Sequence, residues 1–136
     1  MVCLSAGSVN AAALTLVGTI ELTNEKVNVQ RERGPAKTYL KQGNGEVARG
    51  EFDQAILDYN RAIELNPQYA LAYCNRGNAK TAKGDFDGGI ADYNRAIQIN
   101  PQLALAYNNR SSALRERKDL TAALARSTKA FAQRQR

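Results

Sequence analysis

The sequence predicts an all-α chain of antiparallel helix pairs stacked into a solenoid. Three observations point there. The chain repeats itself with a period of 34: laying Ala36–Tyr69 over Ala70–Leu103 makes 18 of 34 positions identical, and a period of this size marks a stack of supersecondary units. Within each copy the apolar residues recur at helical spacing. Each copy is also punctuated twice, by Gly50 or Gly84 near its middle and by Asn66-Pro67 or Asn100-Pro101 at its end.

Residues 1–35 stand apart as a non-repeat arm. Val9 to Ile20 is apolar but interrupted by Asn10, Thr15, Gly18 and Thr19, and it is too short to span a bilayer. No Lys or Arg precedes Lys26, and Ala11-Ala12-Ala13 lies before the apolar run rather than after it. Residues 1–20 could still be the end of a signal peptide, but a flexible or loosely docked arm is the favoured reading. Leu4-Ser5-Ala6-Gly7 lacks the cysteine that a lipoprotein signal needs next, since Ser8 follows. The compartment stays open, with the cytoplasm favoured and export the alternative.

The copies span 36–69, 70–103 and 104–136. In the second, Ala70 to Lys83 is rich in Ala, Leu and Lys and stops at Gly84, a residue suited to the left-handed position after a helix. Asp85 and Asp87 then place acids where a second helix begins and free N–H groups favour negative charge. Phe86, Ile90, Tyr93 and Ile97 follow at spacings of four, three and four, which is one apolar face. Asn100-Pro101 ends the unit, because proline lacks a donor and the residue before it avoids the helical region. The third copy opens with Ala-Leu-Ala-Tyr-Asn-Asn-Arg at Ala104 and then decays. It is expected to form a third pair whose last helix, Asp119 to Gln133, caps the stack with a solvent-facing surface.

The 136-residue chain has 19 Lys and Arg against 13 Asp and Glu, a net charge of +6, and no histidine. The missing histidine removes Ser-His-Asp and Cys-His nucleophile systems, His-ligated metals and the commonest general base at neutral pH. Cys3 and Cys74 are too few for a disulfide framework and too far apart for a C-x-x-C site. No enzyme activity, metal or cofactor is expected; Glu51, Asp53, Asp85 and Asp87 read as acids at helix starts rather than a catalytic pair. Residues 104–136 hold eight bases and two acids, so the excess positive charge sits in the last quarter.

The repeat positions resemble those of the tetratricopeptide repeat. An aromatic stands at Tyr39, Tyr73 and Tyr107, and a small residue at Gly43, Gly77 and Ser111. Ala55, Gly89 and Ala123 follow, then Tyr59 and Tyr93, then Ala62, Ala96 and Ala130, then Pro67 and Pro101. The chain departs from the pattern at Gln42, Arg76 and Arg110, where the family usually has leucine, and at Glu46, Lys80 and Leu114, where it usually has tyrosine. The resemblance implies a right-handed superhelix, close crossing of the paired helices at the small residues, and tyrosines filling the space between pairs.

It also implies a binding face on the first helix of each pair. Carried over, the stripe is Lys37, Leu40, Lys41, Asn44, Val47 and Ala48; then Leu71, Cys74, Asn75, Asn78, Thr81 and Ala82; then Leu105, Asn108, Asn109, Ser112, Arg115 and Glu116. Its candidate binding residues are Lys37, Lys41, Asn44, Asn75, Asn78, Asn108, Asn109, Ser112 and Arg115. An amide side chain both donates and accepts, so an asparagine row suits the backbone of an extended peptide. Family members that clamp acidic chaperone tails have Lys, Asn, Asn, Lys and Arg where this chain has Leu40, Asn44, Asn75, Leu105 and Asn109. The asparagines are here and the cations are not, so that clamp is not expected. The asparagine ladder of the transferase that adds N-acetylglucosamine to proteins is nearer, through Asn75 and Asn109, with Lys41 in the first copy.

The sequence therefore predicts a non-catalytic adaptor that holds an extended or helical segment of a partner protein. Residues 1–35 filling the groove, or stacking of copies into a homo-oligomer, are alternatives of the same class. Nucleic-acid or other polyanion binding through the basic third copy is the alternative from another class. Against it, Tyr107 and Phe131 are expected inside and would offer no stacking platform. Arg76 and Arg110 are expected to pair with Asp58 and Asp92 on the preceding helix, Cys74 to face the groove as a small residue, and Asn109-Arg110-Ser111 not to be glycosylated.

Overall fold

The computed structural model describes residues 34–135; the arm at 1–33, including Cys3 and the apolar stretch Val9–Ile20, lies outside them. Five helices follow one another: α1 (34–48), α2 (Phe52–Leu65), α3 (Ala70–Ala82), α4 (Phe86–Ile99) and α5 (Ala104–Arg134). Each neighbouring pair from α2 onward packs together, and α3 also touches α5. Among the described residues no helix is long and apolar enough to cross a membrane.

The turns form where the sequence places them. Gly50 and Gly84 have φ of +77° and +88°, the left-handed conformation that glycine adopts without a Cβ penalty. Asp85 then caps α4, its side chain accepting a hydrogen bond from the Gly88 N–H at 2.9 Å. At the ends of the copies, Asn66 and Asn100 leave the helical region, and their side-chain oxygens accept from the N–H groups of Gln68 and Gln102, each at 3.1 Å. The prolines sit inside these short Asn-centred turns.

Close crossing is what the small residues allow. A Cβ on Gly43 would lie 2.6 Å from the Tyr59 ring, and one on Gly77 would lie 2.7 Å from Tyr93 and 3.0 Å from the Gly89 carbonyl oxygen. Tyr59 and Tyr93 are fully buried in those spaces. Tyr59 also belongs to the cluster with Ala72 and Ala79 of the next copy, and Tyr93 to the cluster with Ala106 and Ala113. Each tyrosine thus fills the crossing within its own pair and the junction to the following helix.

The third copy departs from the expected pair. The turn before Asp119 and the separate helix Asp119–Gln133 are absent: α5 runs unbroken over 31 residues. Lys118 stands where Gly50 and Gly84 stand in the earlier copies, and a side chain makes the left-handed turn unfavourable by roughly 1 kcal/mol or more. With no helix folded back, Ser111 is exposed where Gly43 and Gly77 are buried. Tyr107 and Phe131, expected inside, are 38% and 64% exposed, and Leu120 and Leu124 are 49% and 57% exposed. Their counterparts Phe86, Ile90 and Ile97 are half-buried against the core.

Two predictions follow from these geometries. Gly77→Ala should lower the denaturant midpoint, because overpacking costs about 1–3 kcal/mol against a helix-propensity gain of roughly 0.5–1 kcal/mol. Gly45→Ala, whose Cβ would meet only the Arg49 side chain at 3.5 Å, should raise it. Lys118→Gly should admit the missing turn. Spin labels at positions 105 and 129, about 36 Å apart along a continuous helix at 1.5 Å per residue, should then report a shorter distance by pulsed electron resonance; an unchanged distance would show that the lysine is not what keeps α5 straight.

Candidate binding face

The candidate face is built from a unit that occurs twice. Tyr59, seated on Gly43, points its hydroxyl at Asn44 and donates to Asn44 Oδ1 at 2.8 Å. The same oxygen accepts from Asn75 Nδ2 of the next copy, also at 2.8 Å. Thirty-four residues on, Tyr93 donates to Asn78 Oδ1 at 2.8 Å and Asn109 Nδ2 donates to that oxygen at 2.7 Å. Thr81 adds a hydroxyl contact to Tyr93 at 3.2 Å. The asparagines are therefore wired to one another across the copies.

This wiring polarises the row. Two donors occupy Oδ1 of Asn44 and of Asn78, so what each of these amides has left to offer a ligand is its Nδ2 donors. Asn75 and Asn109 spend a hydrogen on the inner bond and keep Oδ1 available. Along the face the amides alternate between donor and acceptor, an arrangement open only to groups that carry both functions.

Two cavities lie over the unit, again one per junction. One, of about 280 Å³, is lined by Asn44, Val47, Tyr59, Asn75 and Asn78. The other, of about 270 Å³, is lined by Asn78, Thr81, Tyr93, Asn109 and Ser112, with Ala82, Ala113 and Glu116. The first five residues of each are 34 apart in sequence.

The remaining expected residues divide. Ser112 joins the second cavity, and Lys37, Asn108 and Arg115 are exposed on α1 and α5. Lys41 does not extend the asparagine row; it lines a different cavity with Glu46 and Asp58. Leu40 is buried in the core. Cys74 is buried rather than facing the groove, with Asn109 Nδ2 3.9 Å from its sulfur, and burial pushes its thiol above the ordinary range.

The arginines also find other partners than expected. Arg76 turns forward to Asp92 on α4, not back to Asp58, donating from Nε at 2.8 Å and Nη2 at 2.6 Å to the two carboxylate oxygens. Its Nη1 reaches Asn60 on α2 at 2.6 Å. Arg110 donates to Asn94 at 2.8 Å instead of pairing with Asp92, and its guanidinium lies over the Tyr107 ring, 5.4 Å from the centroid. The hydrogen bonds that Arg76 donates to Asp92, reinforced by charge, hold that guanidinium firmly protonated. The sequence pattern does not distinguish these partners, because both carboxylates recur at the same repeat position.

Set beside known proteins, this geometry has clear counterparts. Residues 43–82 match a family model described as TPR repeat, and residues 70–103 one described as Tetratricopeptide repeat. Residues 43–103 therefore carry tetratricopeptide repeats. Among solved structures it is similar to the TPR domain of Arabidopsis OM64, with 26% identity over 67% of this chain and 73% of that one and a TM-score of 0.61. The second TPR of Spaghetti (RPAP3), bound to the HSP90 peptide SRMEEVD, shares 25% identity over 71% and 90% of the two chains, with a TM-score of 0.63. The TPR2B domain of yeast Sti1, in complex with an Hsp70 peptide, shares 27% over 67% and 73%, with a TM-score of 0.61. No curated protein matches the sequence.

The sequence alone undervalued Tyr59 and Tyr93, which read as packing residues while their hydroxyls set the asparagines. A signal was present: in both copies an asparagine precedes the tyrosine by 15 residues. Burial pushes the Tyr59 hydroxyl up to about 12, with the Glu46 charge adding to it. The folded protein thus binds the phenolic proton more tightly than the unfolded chain, whose tyrosines ionise near 10. The associated stability is complete below about pH 10 and falls as the pH rises toward about 12. Burial also raises Tyr93 and Tyr69, so absorbance at 295 nm should show several tyrosines ionising late, and Tyr59→Phe should reduce that late amplitude by one hydroxyl while costing about 1 kcal/mol for the lost hydrogen bond.

Proposed function

We propose that the face formed by α1, α3 and the first half of α5 binds an extended segment of a partner protein, and that the chain is a non-catalytic adaptor. The alternating donor and acceptor amides of Asn44, Asn75, Asn78 and Asn109 carry this reading. An extended backbone offers N–H and C=O groups in alternation, so it can pair with such a row with little demand on its side chains. The two equivalent cavities supply side-chain pockets beside it.

The Spaghetti and Sti1 domains hold chaperone peptides, which supports a peptide ligand of some kind. An acidic chain end fits this face poorly. Leu40 is buried and Leu105 is exposed, while Asn109 is engaged with Asn78. Carboxylates laid there would be desolvated without a cation to receive them.

Peptides selected on the immobilised protein from a random library, then measured by fluorescence polarisation, test the reading. Asn75→Ala and Asn109→Ala should each weaken the selected peptides by about tenfold, the loss of roughly one hydrogen bond of 1–1.5 kcal/mol. Amidating the peptide C-terminus should change nothing. Peptides that bind both variants as well as wild type would defeat the proposal. Ligands that are basic-patch dependent and released by moderate salt would instead favour the polyanion alternative on α5.

A further inference from the structure

On α1, away from the asparagine row, the first copy carries a buried carboxylate that the second copy's design shows to be incomplete. In the second copy, Asp92 is 5% exposed and is held by three charged hydrogen bonds: two from Arg76 and one from Lys80 Nζ at 2.9 Å. Thirty-four residues earlier the same positions hold Gln42, Glu46 and Asp58. Both cations are gone, and one of them has become a second acid. Glu46 is 9% exposed, and its Oε2 has no hydrogen-bond partner.

These residues line a cavity of about 560 Å³ together with Thr38, Lys41, Gly45 and Arg49. Arg49 is engaged elsewhere, donating to Glu51 from Nε at 3.0 Å and from Nη2 at 2.9 Å. Burial first and then the adjacent Asp58 carboxylate raise the Glu46 proton affinity, against a lowering pull from the Arg49 charge, as desolvation and a like charge do for an acid. An unpaired buried carboxylate is unfavourable, and a positive group at hydrogen-bond distance relieves it.

We propose that this cavity is a binding site for an arginine side chain, whose guanidinium bridges Glu46 Oε2 and Asp58 as Arg76 and Lys80 together neutralise Asp92. The planar fork with five donors can satisfy both acids and the Gln42 carbonyl at once, which a lysine ammonium cannot do with one geometry. The guanidinium comes either from another molecule or from this chain's own Arg31 and Arg33, which precede α1 in sequence. This site is separate from the asparagine row, so its failure leaves the peptide reading standing.

The test uses the full chain, labelled with ¹⁵N and ¹³C and titrated with Nα-acetyl-arginine methylamide. The matching citrulline compound, of the same shape without the charge, runs beside it. Saturable shifts of the Gly45 and Glu46 amides and of the Glu46 and Asp58 carboxyl carbons, with arginine only, are expected. They should vanish in Glu46→Gln and in Glu46→Lys, the second of which rebuilds the second copy's ion pair and should also raise the melting temperature. If wild type is silent and Arg31→Gln/Arg33→Gln responds, the site is confirmed and its occupant is the chain's own arginine. Equal responses to arginine and citrulline, or none in either background, overturn the proposal.

Discussion

A tyrosine ring resting on a helical glycine is the contact on which the rest of this structure depends. At Gly43 and Gly77 there is no room for a methyl group beside the ring, so the helices of a pair can approach only because that methyl is missing. Close approach is what brings the Tyr59 and Tyr93 hydroxyls up to Asn44 and Asn78. Those asparagines, held by the phenol, become the acceptors that Asn75 and Asn109 need. Packing, inter-repeat register and the chemistry of the candidate face are therefore one chain of contacts. A change at the buried glycine reaches the exposed amides without touching them.

Much of this was legible in the residues. Gly50 and Gly84, Asn66-Pro67 and Asn100-Pro101 mark turns that do form, because each imposes a local backbone requirement that few other residues meet. The asparagine row came from the resemblance to the tetratricopeptide repeat, whose concave-face positions fall on Asn44, Asn75, Asn78 and Asn109 here. What escaped is where a short-range rule lost to a missing partner or to choices of equal sequence distance. The third copy keeps Leu120, Leu124 and Phe131 at the positions of an inner face, yet Lys118 removes the left-handed turn that would bring them home. Periodicity reports which side of a helix is apolar and is silent on whether the chain bends to use it. Arg76 had an aspartate available in each copy, and only the side-chain geometry selects Asp92. Glu46 looked like a mere departure from pattern until its burial beside Asp58 was visible.

Charge is arranged along the stack in two layers of different weight. On the surface, Lys83 pairs with Asp53 and Arg117 with Asp87, two contacts of equal sequence separation that join successive copies. Exposed pairs of this kind contribute at most about 1 kcal/mol each; their repetition favours one register of stacking over its neighbours. The inner layer is weightier. The Arg76, Lys80 and Asp92 group is largely out of solvent, and removing either side would leave the other charge buried alone. The first copy has no such balance at Glu46 and Asp58, and the third has only Arg110 and Arg126 there, so the copies are alike in shape and graded in electrostatics from acidic to basic.

The junction between the first and second copies and that between the second and third are made of equivalent contacts: asparagine amide to asparagine carbonyl, arginine to asparagine, and a cation, Lys83 or Arg117, to a helix-start acid. A duplicate of residues 70–103 inserted between them would meet familiar neighbours on both sides. Inheritance can thus alter this protein by counting. One duplication event adds one tyrosine-anchored amide pair and one cavity, lengthening the face without redesigning any contact, while deletion shortens it by the same increment.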